Sequence, residues 1–413
     1  MIRFIRNRIK KVYITFPGSY WVLIASTFVD RLGGTMMYPF FTLYVTKQFN
    51  VGMTEAGLLL GVFAIAEMLG GVLGGALSDK FGRKIILLFG LVASGLSSIA
   101  MGLAGELYQF YIFAAVAGFL GHIGGPARMV MVADLLPEKK QASGYGLMRV
   151  AGNLAWVVGP SVGGLLALRS YFYIFLADAV SSIITAVIVL IKLPETRPEQ
   201  SEAAKSESFI QTLRGYFRVL KDKIYIAYIL ISIIMLFVYQ QLYGAFPVYL
   251  RDVHGISERH YGIIMSINAL AVVIFQFRIT KWISKKDQMK MMALGTLCFL
   301  VGYTAFGFIQ VFPIFIAMVL LITFGEMIIV PVGQALVARL SPVEMRGRYM
   351  GVFELSWSIP AVVGPYLAGL VMDNYNPNLL WYISGFISAA ALIGFLLLAG
   401  KSKRRLNANP EDE

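Results

Sequence analysis

Five carboxylic acids stand inside long apolar stretches of this chain: Asp30, Glu67, Asp178, Glu326 and Glu354. An ionised side chain in hydrocarbon costs roughly 3 kcal/mol on insertion scales. Each acid must therefore face a cavity or a partner. A sheltered carboxyl holds its proton more tightly than one in water, which suits a group that exchanges protons near neutral pH. Asp30, Glu67 and Glu326, with the imidazole of His122, are the proton-coupling candidates. The alternative for each acid is a buried ion pair that only ties helices together. Arg31 and Arg149 are cations at hand, Arg31 as a local partner for Asp30. For His122 the alternative is an ordinary buried hydrogen bond.

The elements that carry these groups follow from composition. Of 413 residues, 58% are hydrophobic and 14% charged, and the mean hydropathy is +0.71. A soluble domain averages roughly 25% charged residues, so the solvent of this chain is lipid. The apolar runs are long rather than short and alternating, which favours helices over a β-barrel. Spans of about 20 residues are predicted at 19–46, 54–79, 84–104, 108–133, 141–168, 170–193, 223–250, 259–283, 289–309, 312–338, 348–373 and 378–400. The chain thus divides into a basic N-terminus (1–18), a six-helix half (19–193), a polar linker (194–222), a second six-helix half (223–400) and a tail (401–413).

Charge orients the map. Only Lys47, Arg169, Arg251 and Arg259 fall on one side, and Arg31, Arg128 and Arg149 fall within spans; the remaining 29 of the 36 Lys and Arg lie on the other side. That asymmetry places both termini and the linker in the cytoplasm of a cell (inner) membrane. It also accounts for the net charge of +13 without nucleic acid. Cys298 is the single cysteine, so no disulfide forms within the chain. The N-terminus lacks the small-residue cleavage site of a signal peptide.

The halves repeat. At an offset of 205 residues, Pro126 falls on Pro331, Pro137 on Pro342, Gly146 on Gly351, Gly159-Pro160 on Gly364-Pro365 and Gly164 on Gly369. Glycine and proline agree where a backbone bends or approaches another closely. Two same-direction halves fit parallel repeats about an axis along the membrane normal.

Two motifs stand out. After the second span the chain runs Gly75-Ala76-Leu77-Ser78-Asp79-Lys80-Phe81-Gly82-Arg83-Lys84, an acid, a glycine turn and two cations that can latch helix ends. The fifth span carries Gly146, Ala155, Gly159, Pro160, Gly163 and Gly164, a pliable and closely packing helix. Together they resemble the major facilitator superfamily. The first matches its cytoplasmic-loop motif, and the second is similar to the motif of its drug–proton antiporters, with Ala155 where a glycine is usual. Asp30-Arg31-Leu32-Gly33 before Tyr38-Pro39, and Gly325-Glu326 before Pro331, are similar to the twelve-span multidrug exporter branch.

The resemblance implies an all-α membrane protein with the major facilitator fold, twelve helices in two bundles related by pseudo-twofold symmetry. It implies a cavity lined by spans 1, 4, 7 and 10, which carry Asp30 and Glu326. It places Asp178 on a peripheral span, where a structural role is favoured. It also implies a gating cluster of Asp79, Arg83 and Asp134 beside Gly82 and Lys84. Arg149 and Glu354, equivalent in the repeat, are expected to pair structurally or in gating. In two places the pattern departs: Ala114 stands where exporters carry a coupling arginine, and Ser284 stands at the repeat position of Asp79.

Apolar walls with a few polar groups suit an amphiphilic ligand, and Tyr38, Trp156, Tyr239, Gln240, Tyr243 and Trp357 are the substrate-cavity candidates, Gln241 lying beside them. Ordinary packing is the competing account. The expected activity is proton-coupled export of amphiphilic small molecules by alternating access. A lipid or lysolipid flippase is the first alternative and a proton-coupled nutrient symporter the second. The charged cluster expected for a sugar site is not apparent in the sequence. No G-x-x-x-x-G-K-S/T phosphate loop and no H-E-x-x-H metal pair occurs, so neither enzyme chemistry nor a cofactor or metal is expected. The expected partners are the substrate, protons and lipid.

Overall fold

The computed structural model describes residues 15–197, 217–284, 286–342 and 345–407. Most of the basic N-terminus (1–18) and of the linker (194–222), and the end of the tail (401–413), lie outside the described residues. The described elements are helices: α1 (Gly18–Met37), a 3₁₀ turn (Tyr38–Phe40), α2 (Phe41–Gln48), α3 (Met53–Phe81), α4 (Arg83–Leu103), α5 (Leu107–His122), α6 (Gly124–Leu135), α7 (Glu138–Ala167) and α8 (Phe172–Lys192). After the linker come α9 (Lys223–Gln240), α10 (Ala245–His254), α11 (Glu258–Ile283), α12 (Gln288–Phe306), α13 (Phe312–Leu340), α14 (Arg346–Asn374) and α15 (Asn378–Asn407). Among the described residues, eleven helical spans are long and apolar enough to cross a membrane. Phe277 and Phe386 stand 80% and 79% exposed on the outside, as a hydrocarbon solvent permits.

Three expected spans are interrupted, each for a local reason. The first, 19–46, is cut by the 3₁₀ turn around Pro39, which has no N–H to continue the ladder. The fourth, 108–133, breaks at Ile123 between α5 and α6. There Pro126 cannot donate to the carbonyl of His122, and Gly121, Gly124 and Gly125 are poor helix formers. The seventh, 223–250, opens between Gln240 and Ala245, where the Phe246 N–H reaches back to the Gln241 carbonyl at 2.9 Å. The Gln241 side chain donates to the carbonyls of Phe237 (2.8 Å) and Gly364 (3.3 Å) across this opening. Tyr38 and Tyr243, one at each break, are 205 residues apart, the offset of the repeat.

The chain forms two compact units: Met1–Phe41 with Val62–Ser201, and Thr42–Gly61 with Glu202–Glu413. In the first, α1 packs on α7 and α8, and α4 packs on α5, α6 and α8. Glycines set the distances. Side chains at Gly159 and Gly163 would collide with Thr35 and Met36 of α1. The space they leave lets Thr35 Oγ1 donate to the Ala155 carbonyl at 3.1 Å. Gly33 likewise admits Asp178 and Ser181 of α8. Gly70 and Gly74 of α3 lie against the carbonyls of Phe119 and Ile123. Tyr20, Leu23, Leu87, Leu91, Met131 and Val189 form a buried core at one end, where the Tyr20 hydroxyl donates to the Gly144 carbonyl at 2.7 Å. Gly146 has open space around it, so close packing within the unit does not require it.

In the second unit α9 packs on α14 and α15, and α12 on α13 and α15. Phe246, Phe306 and Trp381 are buried among them, with Phe246 stacked on Phe306 at 4.4 Å. Segment Thr42–Gly61 joins this unit through backbone contacts. Thr42 Oγ1 donates to the Gly244 carbonyl at 3.0 Å, and Gly57 and Gly61 lie against the carbonyls of Pro365 and Val362. The Asp373 carboxylate accepts from the N–H groups of Met53 (2.9 Å) and Thr54 (2.7 Å) and from Thr54 Oγ1 (2.6 Å). It therefore caps the N-terminus of α3.

The glycine contacts have a measurable consequence. Gly74→Val drives a side chain into the Ile123 backbone, and a large loss of monodisperse protein on size-exclusion chromatography is expected. Gly71→Val, which meets nothing within 4 Å, is expected to give the wild-type yield.

Candidate functional site

A cavity of about 360 Å³ opens within the first unit. Asp30, Arg31, Gly34 and Tyr38 reach it from α1 and its 3₁₀ extension, Phe63 and Glu67 from α3, His122 from the end of α5, Arg128 from α6, Trp156 from α7 and Asp178 from α8. Helical spacing accounts for the sets: residues four apart share a face, as do Asp30, Gly34 and Tyr38, and likewise Phe63 and Glu67. The break at Ile123 separates His122 from Gly124 and Arg128, and all three line the cavity.

The ionisable groups are paired across helices. Arg128 Nη2 lies 2.7 Å from Asp30 Oδ2, with the Arg128 side chain 11% and the Asp30 side chain 20% exposed. His122 Nε2 lies 2.5 Å from Glu67 Oε1. Ser98 Oγ donates to Asp178 Oδ2. Two expectations are corrected. The partner of Asp30 is Arg128 rather than its chain neighbour Arg31, because adjacent residues on a helix point apart. And the charged cluster not apparent in the sequence is present: six ionisable residues gathered from five helices. Arg128 was visible as an arginine inside a span two residues after a proline, which was the available signal. Asp178, which the resemblance places on a peripheral span in a structural role, is buried, accepts from Ser98 and lines the cavity.

The other coupling candidate, Glu326, is half-buried in the second unit, within electrostatic reach of Tyr239 and Tyr303. Tyr239 stacks on Phe299 at 5.8 Å and meets Trp357 edge-on at 5.8 Å; its hydroxyl is 3.4 Å from that of Tyr243. Gln240 is half-buried and its carbonyl accepts from Tyr243 and Gly244. In the first unit Tyr38 and Trp156 meet edge-on at 6.3 Å. The aromatic candidates therefore fall into two groups, one per unit. Arg149 and Glu354 are exposed, and among the described residues neither joins an ion pair.

The expected gating cluster is assembled at one end of the first unit. Arg83 Nε lies 3.1 Å from Asp134 Oδ2, and its Nη1 lies 3.0 Å from Asp79 Oδ1. Gly82 has φ +106°, a region that side chains rarely adopt, and a Cβ there would also meet Glu195. Lys84 Nζ donates to the Leu190 carbonyl at 2.8 Å. The start of the polar linker completes the cluster. Thr196 Oγ1 donates to Asp134 Oδ2 at 2.9 Å, and Arg197 Nη1 donates to the Lys80 carbonyl at 2.8 Å. The Glu195 carboxylate accepts from the N–H groups of Arg83 (2.9 Å) and Lys84 (3.1 Å) at the N-terminus of α4, and from those of Thr196 (2.9 Å) and Arg197 (3.0 Å). Burial pushes the Glu195 carboxyl up, but the four backbone donors outweigh it and hold the group below its ordinary range. Sequence reading missed Glu195 because it sits in a stretch whose composition marks a linker.

Comparison with known proteins follows this geometry. A family model described as Major Facilitator Superfamily matches residues 23–289 and 242–413. A Na(+), Li(+), K(+)/H(+) antiporter of Planococcus maritimus is 25% identical over 88% of this chain and 91% of its own length. Multidrug resistance protein MdtH of Yersinia enterocolitica is 23% identical over 91% of this chain and 93% of its own. Among solved structures, the nucleoside transporter NupG shares the fold with a TM-score of 0.80 at 14% identity, covering 92% of this chain and 100% of that one.

Glu195 gives a test. Glu195→Ala uncaps α4, and a fall in Tm of about 1–2 °C is expected from the usual cost of losing a helix cap in a chain of this size. Because the folded-state pKa is depressed, this stabilisation is present above the ordinary glutamate pKa of about 4.3 and is lost as pH falls through the depressed value. The gap in Tm between wild type and variant should therefore close in acid.

Proposed function

Because the chain belongs to the major facilitator superfamily, a multi-pass membrane protein and secondary transporter, we propose that it is a proton-coupled antiporter that exports amphiphilic or lipophilic small molecules by alternating access. The observation that carries this reading is the ion pair between Asp30 and Arg128 inside the cavity, 2.7 Å apart, with the Glu67–His122 pair beside it. A proton on Asp30 removes its charge and frees the Arg128 guanidinium. Loss of that proton restores the pair. Proton occupancy and the charge of the cavity are thereby linked, as antiport requires. Glu67 and His122 share a hydrogen bond, which offers a proton path to the same cavity.

The membership of a cation/H(+) antiporter and of multidrug resistance proteins among the relatives supports this reading. Tyr38 and Trp156 supply the apolar wall. We place the protein in the cell (inner) membrane with both termini cytoplasmic, on the distribution of Lys and Arg. The cluster of Asp79, Arg83, Asp134 and Glu195 then lies at the cytoplasmic end, where it steadies the starts and ends of α3, α4 and α6 during the cycle. In this reading the chain works as two six-helix halves, 19–193 and 223–400, joined by the linker.

Reconstituted liposomes test the coupling. Asp30→Asn and Arg128→Gln are each expected to reduce pH-gradient-driven transport of a lipophilic dye by at least about 10-fold, the effect of removing one positioned proton-transfer or charge partner. Wild-type gradient-driven rates in Asp30→Asn would remove Asp30 from the mechanism.

A further inference from the structure

We propose that the cavity of the first unit binds the oxyanion of its ligand, a carboxylate or phosphate on an otherwise apolar molecule, through Arg31. The inference rests on the export reading for the purpose of the cavity and goes beyond it in stating the charge of the cargo. Three of the cavity's acids and two of its bases are already engaged: Asp30 with Arg128, Glu67 with His122, and Asp178 with Ser98. Arg31 is the exception. It is exposed, lines the cavity, and makes no hydrogen bond or ion pair among the described residues. Asp30 and Glu67 act on it only at longer range, and Arg128 opposes it.

A guanidinium within a membrane-spanning helix is costly unless something neutralises it. Its planar fork of N–H donors matches the two oxygens of a carboxylate or phosphate. Room for that group is built in. Gly34, three residues on along the same face, has nothing within 4 Å of the position its Cβ would occupy. The Tyr38–Trp156 pair, lining the same cavity, provides a surface for the apolar remainder. A quaternary ammonium would find the aromatic faces but each carboxylate already bonded, and it would stand against the guanidinium of Arg31, unpaired among the described residues. The polar wall therefore selects for negative charge, and the source can be a soluble amphiphile or the head group of an anionic lipid.

Purified full-length protein in a neutral maltoside detergent tests this with three ligands of equal chain length: dodecyl phosphate, dodecyltrimethylammonium and dodecanol, read by thermal shift and tryptophan fluorescence. Dodecyl phosphate is expected to bind at least about 10-fold more tightly than the other two. Arg31→Gln should lower its affinity by about the same factor, and Arg31→Lys should retain part of it. Equal or tighter binding of the ammonium or the alcohol, or unchanged dodecyl phosphate affinity in Arg31→Gln, overturns the proposal. If Arg31→Gln does not purify folded, the wild-type ranking and Arg31→Lys still decide.

Nanodiscs of phosphatidylglycerol or phosphatidylcholine then separate the sources. Competition by phosphatidylglycerol assigns the oxyanion to a lipid head group, and undiminished binding assigns it to a soluble amphiphile. Both results support the site. Phosphate-selective binding without pH-driven transport would count against the export reading and leave Arg31's role intact. Transport without anion preference would do the reverse.

Discussion

The cost of holding charge in hydrocarbon organises this molecule. Water cannot reach most of a membrane-spanning helix, so every ionisable side chain there needs a partner or a polar hollow. The first unit answers with both. Asp30, Glu67, His122, Arg128 and Asp178 come from separate helices, yet they converge on one cavity and are tied to one another or to Ser98. Their convergence depends on close helix approach. Without Gly33 the helices that deliver Asp30 and Asp178 could not come together, and without Gly159 and Gly163 neither could those that deliver Asp30 and Trp156.

The 205-residue repeat preserves backbone features and discards the chemistry. Breaks at Tyr38–Phe40 and after Gln240 recur at matching positions, as do Pro126 and Pro331. The charges do not recur. The positions equivalent to Asp30, Glu67, His122 and Arg128 are Met235, Val272, Met327 and Gly333. The second unit instead gathers Phe299, Tyr303 and Trp357 around Tyr239, with Glu326 within electrostatic reach of Tyr239 and Tyr303. One half thus carries a charged hollow and the other an aromatic cluster on related backbones.

Much of this was legible in the residues. Apolar length alone marks the spans, and the order from Gly75 to Lys84 marks the cluster at Arg83, because a glycine with positive φ is a local requirement. Asp30, Glu67 and His122 declared themselves as ionisable groups in apolar surroundings. What stayed hidden was pairing. Arg128 meets Asp30 across 98 positions, and nothing local encodes that. The helix break at Ile123 was hidden too, since a proline within an apolar run bends or ends a helix according to its neighbours. Glu195 was masked by the linker composition around it, and by accepting only backbone hydrogen bonds, which leave no pattern in side-chain types.

The Asp373 cap has a consequence for biosynthesis. The N–H groups of Met53 and Thr54 are bonded by a carboxylate 320 and 319 residues further along the chain. At about 5–20 residues per second of synthesis, the start of α3 leaves the ribosome on the order of tens of seconds before its acceptor exists. During that interval those donors must be served by water or lipid head groups at the membrane surface. The end of α14 therefore completes the start of a helix made some 320 residues earlier.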